Sequence, residues 1–170
     1  MIKNIICIIL ILNTLLSYSQ NITKLWELQK IEFTVSDSTI KFIENKLDLT
    51  WTNSTDSIYY KIKVYNGQYF NNPKEIINQL IDESGFSNLV VKAAPVNSFT
   101  CGGNFNCYYY KGTAVINTTK VAFNIYGFHD PYEFKNIAAM AISYNSNTEL
   151  NYTKFIENSD KILTTIKKVK

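Results

Sequence analysis

The chain has 170 residues, 46% of them hydrophobic and 18% charged, with 17 basic side chains against 14 acidic ones. Every basic residue is a lysine. Without arginine the chain lacks the planar fork that grips phosphates and guanine edges in pairs, and with charge this balanced nucleic acid is a poor partner. The length suits one domain with a substantial core.

The first twenty residues carry an address. Lys3 supplies a positive start, and Ile5 to Leu12 form an apolar run that Asn13 interrupts. That run is far short of the roughly 20 residues a bilayer-spanning helix needs. Ser17 and Ser19 place small residues before a cut ahead of Gln20, which is the layout of a secretory signal. Cys7 lies inside the apolar run and follows Ile6, where a lipid-attachment motif needs a small residue. The expectation is a signal peptide over 1–19 and a single α+β domain over 20–170. The protein would be exported to a bacterial periplasm or beyond, with no transmembrane segment once the signal is removed.

Leu47, Leu49 and Trp51 alternate with Lys46, Asp48 and Thr50, and Ile58, Tyr60, Ile62 and Val64 alternate with Tyr59, Lys61, Lys63 and Tyr65. Both stretches read as strands with one buried face. Asn66-Gly67 ends the second. A helix follows from about Pro73 to Ser84, with Asn72 as cap, Pro73 at the first position, and Glu75 completing a capping-box-like start. Ile76, Ile77, Leu80 and Ile81 form its stripe, and Gly85 stops it.

Strands are then expected over Leu89 to Ala94, Cys107 to Ile116, Lys120 to Phe128 and Asn136 to Tyr144. Asn117-Thr118-Thr119 and Asp130-Pro131 supply turns. Ile137 to Ile142 has no polar face, which predicts a central strand covered on both sides, its alanines letting a helix approach. From Glu149 to the C-terminus, Tyr152, Phe155, Ile156, Ile162, Leu163, Ile166 and Val169 recur at helical spacing. Strands, helix, four strands, helix, joined by short turns, predict a mainly antiparallel sheet carrying a mid-chain helix and a C-terminal amphipathic helix.

Tyr108-Tyr109-Tyr110-Lys111-Gly112-Thr113, then Val121 to Phe123, Ile137 to Ile142 and the closing Ile162 to Lys167 give this order a familiar texture. Over roughly residues 58–170 it resembles the PsbP-like α/β/α sandwich. Such domains often open with a Pro-x-x-Trp stretch, whereas Trp51 lacks that proline. The resemblance implies a binding or assembly module with no shared catalytic set, so no functional residue carries over.

The residues themselves offer few chemical sites. In an oxidising compartment Cys101 and Cys107 should form a disulfide closing the loop Gly102 to Asn106. Four-ligand zinc is disfavoured because His129 is the chain's single histidine. A thiol nucleophile paired with His129 is conceivable, but a second cysteine this near should oxidise with it. Gly102-Gly103 reads as a bend, with an anion-binding nest as the alternative. Around His129, the plain reading is a polar hairpin tip where Asp130 starts a turn, and the alternative is a weak metal or acid–base site.

No catalytic set, metal or cofactor is therefore expected. The possible binding residues are Tyr59 and Tyr65 on the outer sheet face, Phe105 at the tip of the bridged loop, and His129. Three functions remain. The first is an exported, non-enzymatic binding or assembly module for a protein or envelope component. The second is an inhibitor that inserts the Cys101–Cys107 loop into a cleft. The third is a small hydrolase or metal-dependent enzyme around His129. The sheet-face reading requires Tyr59 and Tyr65 to be accessible.

Overall fold

The computed structural model describes residues 21–35, 40–53, 56–66, 69–133, 135–145 and 148–169. The segment read as a signal, Met1 to Ser19, and the expected first mature residue, Gln20, lie outside them. Among the described residues the elements run β1 (Ile22–Trp26), β2 (Ile31–Val35), β3 (Ile43–Glu44), β4 (Asp48–Asn53), β5 (Ile58–Tyr65), α1 (Pro73–Glu83), β6 (Ser87–Ala93) and β7 (Phe99–Cys101). They continue as β8 (Phe105–Ile116), β9 (Thr119–Asp130), β10 (Lys135–Ser143), α2 (Glu149–Leu163) and β11 (Lys167–Lys168).

The large sheet has the order β3-β4-β5-β10-β9-β8-β6, with β7 also paired to β8. Its pairings are antiparallel, as the hairpin-length connections require. A small second sheet, β1-β2-β11, is antiparallel too. The fold is thus α+β, mainly antiparallel, with two helices, as the strand–helix order implies.

Strand β10 sits between β5 and β9, and every residue from Asn136 to Ser143 is buried. A strand without a polar face is stable only when both faces are covered. Here α1 covers one side and α2 with the small sheet covers the other, giving two apolar layers. The alanines divide between them: Ala138 faces the α1 layer, while Ala139 and Ala141 face the α2 layer.

Helix α1 starts as its residues dictate. Asn72 Oδ1 accepts from the amides of Lys74 and Glu75 at 3.0 and 3.1 Å, and Pro73 opens the first turn. The Glu75 carboxylate reaches back to the Asn71 amide at 2.9 Å. Ile76, Ile77 and Leu80 are fully buried, each worth about 1.5–3 kcal/mol. Gly127 of β9 makes this approach possible, because a Cβ there would lie 2.2 Å from the Pro73 carbonyl oxygen.

One expectation needs correcting. The second helix stops at Leu163 rather than continuing to the C-terminus. Thr165 turns its hydroxyl to the Ile162 carbonyl at 2.7 Å and accepts the Thr34 amide at 2.8 Å, joining the helix end to β2. Ile166 is then buried, and Lys167–Lys168 pair with β2 opposite Glu32 and Ile31. The β-branched Thr164-Thr165 pair favours leaving the helix, and a strand's period buries Ile166 as well as a helix's would.

Candidate functional site

The sheet face beside α1 is only partly covered. Past the end of the helix lies an open groove of about 450 Å³, with Met140 and Ile142 of β10 in its lining. Tyr59 and Lys61 of β5 contribute to its walls, as does Tyr144, which is 48% exposed. Tyr59 is half-buried, and burial raises its hydroxyl above the ordinary tyrosine range against the lowering effect of a bond with Thr50.

Tyr65 departs from expectation. It shares the Tyr59 face, but that face turns under α1, and Tyr65 is 3% exposed. Its ring packs edge-on against Phe70 at 5.5 Å, and its hydroxyl donates to Glu83 Oε2 at 3.2 Å. Burial, reinforced by the neighbouring carboxylate, raises the hydroxyl strongly, so it stays a donor. Lys63 binds the same carboxylate at 2.6 Å. Burial alone would raise the Glu83 carboxyl, but the bonds from Lys63, Gln79 and Tyr65 outweigh it and hold it below the usual range. Of the two tyrosines, only Tyr59 lines an accessible surface.

The bridged loop does not project as an inserting tip. The sulfurs of Cys101 and Cys107 lie at disulfide distance, with Cα atoms 6.0 Å apart. Phe105, expected at the tip, is 1% exposed and packs edge-on against Phe128 at 5.7 Å. The loop rests on the C-terminal strand: the Lys168 amide donates to the Gly102 carbonyl at 3.4 Å, and a Cβ on Gly102 would lie 2.2 Å from the Ile166 oxygen. Gly102 also has φ +47°, so glycine serves both the turn and the close approach.

His129 and Asp130 point to separate tasks. His129 is buried, with Nδ1 2.7 Å from Asn136 Oδ1 on the facing strand. An amide oxygen only accepts, so that ring nitrogen carries the proton. Asp130 Oδ1 accepts the amides of Tyr132 and Glu133 at 2.9 and 3.1 Å, building the turn at Pro131. Its Oδ2 accepts from Lys168 Nζ at 2.9 Å, and Lys168 also pairs with Glu133. Burial opposes ionisation of Asp130, yet the lysine and the two amides hold its carboxyl below the ordinary range. Among the described residues no group of three His, Cys, Asp or Glu side chains comes together that could hold a metal ion.

Two further cavities have no signal in the sequence. They lie on the α2 side of the sheet, about 470 and 230 Å³, and both are lined by Asp56 and Asn158. Asn158 Nδ2 donates to Asp56 Oδ2 at 3.0 Å. Tyr60 lines the larger cavity, and its buried hydroxyl has no hydrogen-bond partner among the described residues. Periodicity had assigned Tyr60 to the core, correctly, but gave no signal that its polar end would be left over.

No family model matches the sequence, and no curated protein does. Solved structures do resemble the fold. The Ran-binding protein Mog1p of Saccharomyces cerevisiae matches with a TM-score of 0.59 at 8% identity, over 86% of this chain and 96% of that one. A Bacteroides thetaiotaomicron protein matches with a TM-score of 0.51 at 11% identity. That alignment covers 90% of this chain but 49% of the other, so this chain spans about half its length. These likenesses show an α+β sandwich fold shared with Mog1p.

Proposed function

We propose that this chain is an exported, non-enzymatic binding or assembly module for a protein or envelope component, working through the groove beside α1. The observation that carries the reading is the incomplete cover of that sheet face. Tyr59 and Tyr144 line an open groove whose floor lies over the buried Met140 and Ile142, and exposed tyrosine area of this kind is what protein contacts favour. Lys61 and Glu83 add charges of both signs at its margin. The similar fold of a Ran-binding protein supports a scaffold able to present a protein-binding face.

The residues with chemical potential are engaged in holding the fold. His129 is bonded across the sheet to Asn136, and Asp130 organises a turn and holds Lys168. The inhibitor reading rested on the bridged loop, and the burial of Phe105 within that loop weighs against it. Export rests on Lys3, the Ile5 to Leu12 run and the small residues before Gln20.

Two measurements test the proposal. Intact mass of protein from its native host should correspond to a chain starting at Gln20, and an uncleaved start would refute export. Capture from native envelope extracts by the wild-type protein should be depleted by Tyr59→Ala with Tyr144→Ala, while the double variant keeps its circular dichroism. Equal capture by both proteins would remove the groove as the binding face.

A further inference from the structure

The larger cavity on the α2 side stands apart from the groove beside α1. It is enclosed by Thr34 and Val35 at the end of β2, by Asn53, Asp56 and Tyr60 around the β4–β5 connection, and by the Asn158 to Ile162 turn of α2. At about 470 Å³ it falls within the range of small-molecule sites, roughly 300–1,000 Å³.

The Tyr60 side chain is unusual in this wall. It is 1% exposed and stacked on Trp51 at 5.0 Å with ring planes 8° apart, and Trp51 stacks in turn on Phe33 at 5.2 Å. The aromatic stack fixes the hydroxyl in place, yet among the described residues no atom satisfies it. A buried hydroxyl without a partner destabilises a fold, so an outside partner has something to relieve. Burial raises this phenol well above the usual range, with the Asp56 carboxylate adding to it, so the group remains a neutral donor.

The remaining lining narrows the chemistry. Asp56 is the carboxylate of this cavity and already accepts from Asn158, which leaves too few acidic ligands for a cation. Lys161 is the cation there, so an anion would meet one lysine beside one carboxylate. Val35 and Ile162 are the aliphatic side chains of the wall, whose apolar surface is about as extensive as its polar surface, the combination that the faces and edges of a sugar ring present. Beside that apolar surface stand side-chain amides and hydroxyls: Asn21, Asn53, Asn158, Thr34 and Tyr60. Such groups both donate and accept, as the hydroxyls of a sugar do. The smaller cavity, sharing Asp56 and Asn158, adds Ser143, Asn145 and Asn151 and extends the same chemistry.

We infer that the paired cavities around Asp56 and Asn158 form a binding site for an uncharged saccharide of one or two rings, with the Tyr60 hydroxyl as a buried recognition donor. This site is independent of the groove beside α1, and the two readings can fail separately.

The probes are chitobiose, maltose and cellobiose, each titrated calorimetrically into the protein at up to about 10 mM. At least one should bind with a Kd of about 1 mM or tighter. Tyr60→Phe, which removes the hydroxyl and keeps the ring, should weaken that binding by about tenfold while leaving Tm unchanged or higher. Asn158→Ala, on the more accessible side of the site, should weaken it too and serves as the deciding variant if Tyr60→Phe does not fold. Tyr144→Ala in the other groove should bind the sugar as wild type does. Absence of binding by all three disaccharides, or equal affinity of wild type and the site variants, would overturn the inference; in the latter case the hydroxyl bonds only water.

Discussion

Asn124 is fully buried in β9, an expensive place for an amide, and the partners of its Nδ2 offset part of that cost, while Oδ1 has none among the described residues. Its Nδ2 donates to Ser159 Oγ at 2.8 Å and to Asp160 Oδ1 at 2.9 Å, both on α2. Tyr126 and Lys111 bind the same carboxylate at 3.0 and 2.6 Å. This polar cluster ties the helix to one register on the sheet, which an apolar stripe alone specifies loosely. Nothing in the alternation of β9 marks Asn124 as buried, because its partners lie 35 and 36 residues away. Local pattern reads faces well and long-range partners poorly. Tyr65 shows the same limit: the period of two assigns its face, but not which stretch of that face a helix covers.

Two substitutions test this scale. Gly127→Ala would drive a methyl group into the Pro73 carbonyl and toward Ile77, and should destabilise the protein by more than about 2 kcal/mol in urea unfolding. Asp130 and Glu83 both have carboxyls held below their ordinary values of 3.8 and 4.5. Their contribution is therefore complete above those values and is lost as pH falls through them toward the folded values. Tm should drop as pH is lowered from about 5 to 3, and Asp130→Asn should flatten that drop. An unchanged acid profile in the variant would show that the Lys168 pair contributes nothing to it.

Among the elements, α1 was readable almost to the residue, because its cap, first-turn proline, stripe and stop occupy one continuous stretch. The hairpin at Asn117-Thr118 was readable too, and both residues take left-handed φ, 47° and 71°. The small sheet was not. Ile31, Phe33 and Val35 do alternate with Glu32 and Thr34, and all three are buried, so β2 carries a strand signal while its partners β1 and β11 do not. Strands as short as β3 and β11 leave no periodic trace and exist because neighbours present a free edge.

The C-terminal strand joins three parts: β2 by pairing, the bridged loop through Gly102, and the Asp130 turn through Lys168. Deleting residues 167–170 should therefore lower Tm and raise exchange of the β2 amides. Replacing the cysteines by Cys101→Ala with Cys107→Ala should cost roughly 2 kcal/mol in the oxidised protein, the amount expected for so small a loop. If the deletion leaves β2 protection unchanged, the strand is an ornament of the fold and the small sheet stands on β1 and β2.

At the scale of the whole molecule, one large sheet is covered on both faces but not to its margins. The α2 face is covered by helix and small sheet, with a cavity between them, while the α1 face ends in an open groove. The antiparallel α+β architecture followed from strand order and turn length, which are properties of the chain. The groove did not, since it depends on how far one helix reaches across eight strands. Tyr59 stands out in the sequence because outward tyrosines suit contacts; Tyr144, just past the end of β10, carries only the signal of a strand end.

The binding proposal therefore stands or falls on that uncovered margin. Its most direct test places a photo-crosslinking residue at Tyr144 and, as a control, at exposed Lys74 on α1, with the protein expressed in its native host. A discrete crosslinked species from position 144, lost when Tyr59→Ala is added and missing at 74, is the expected result. Identical crosslinking at both positions, or none at 144, would contradict it.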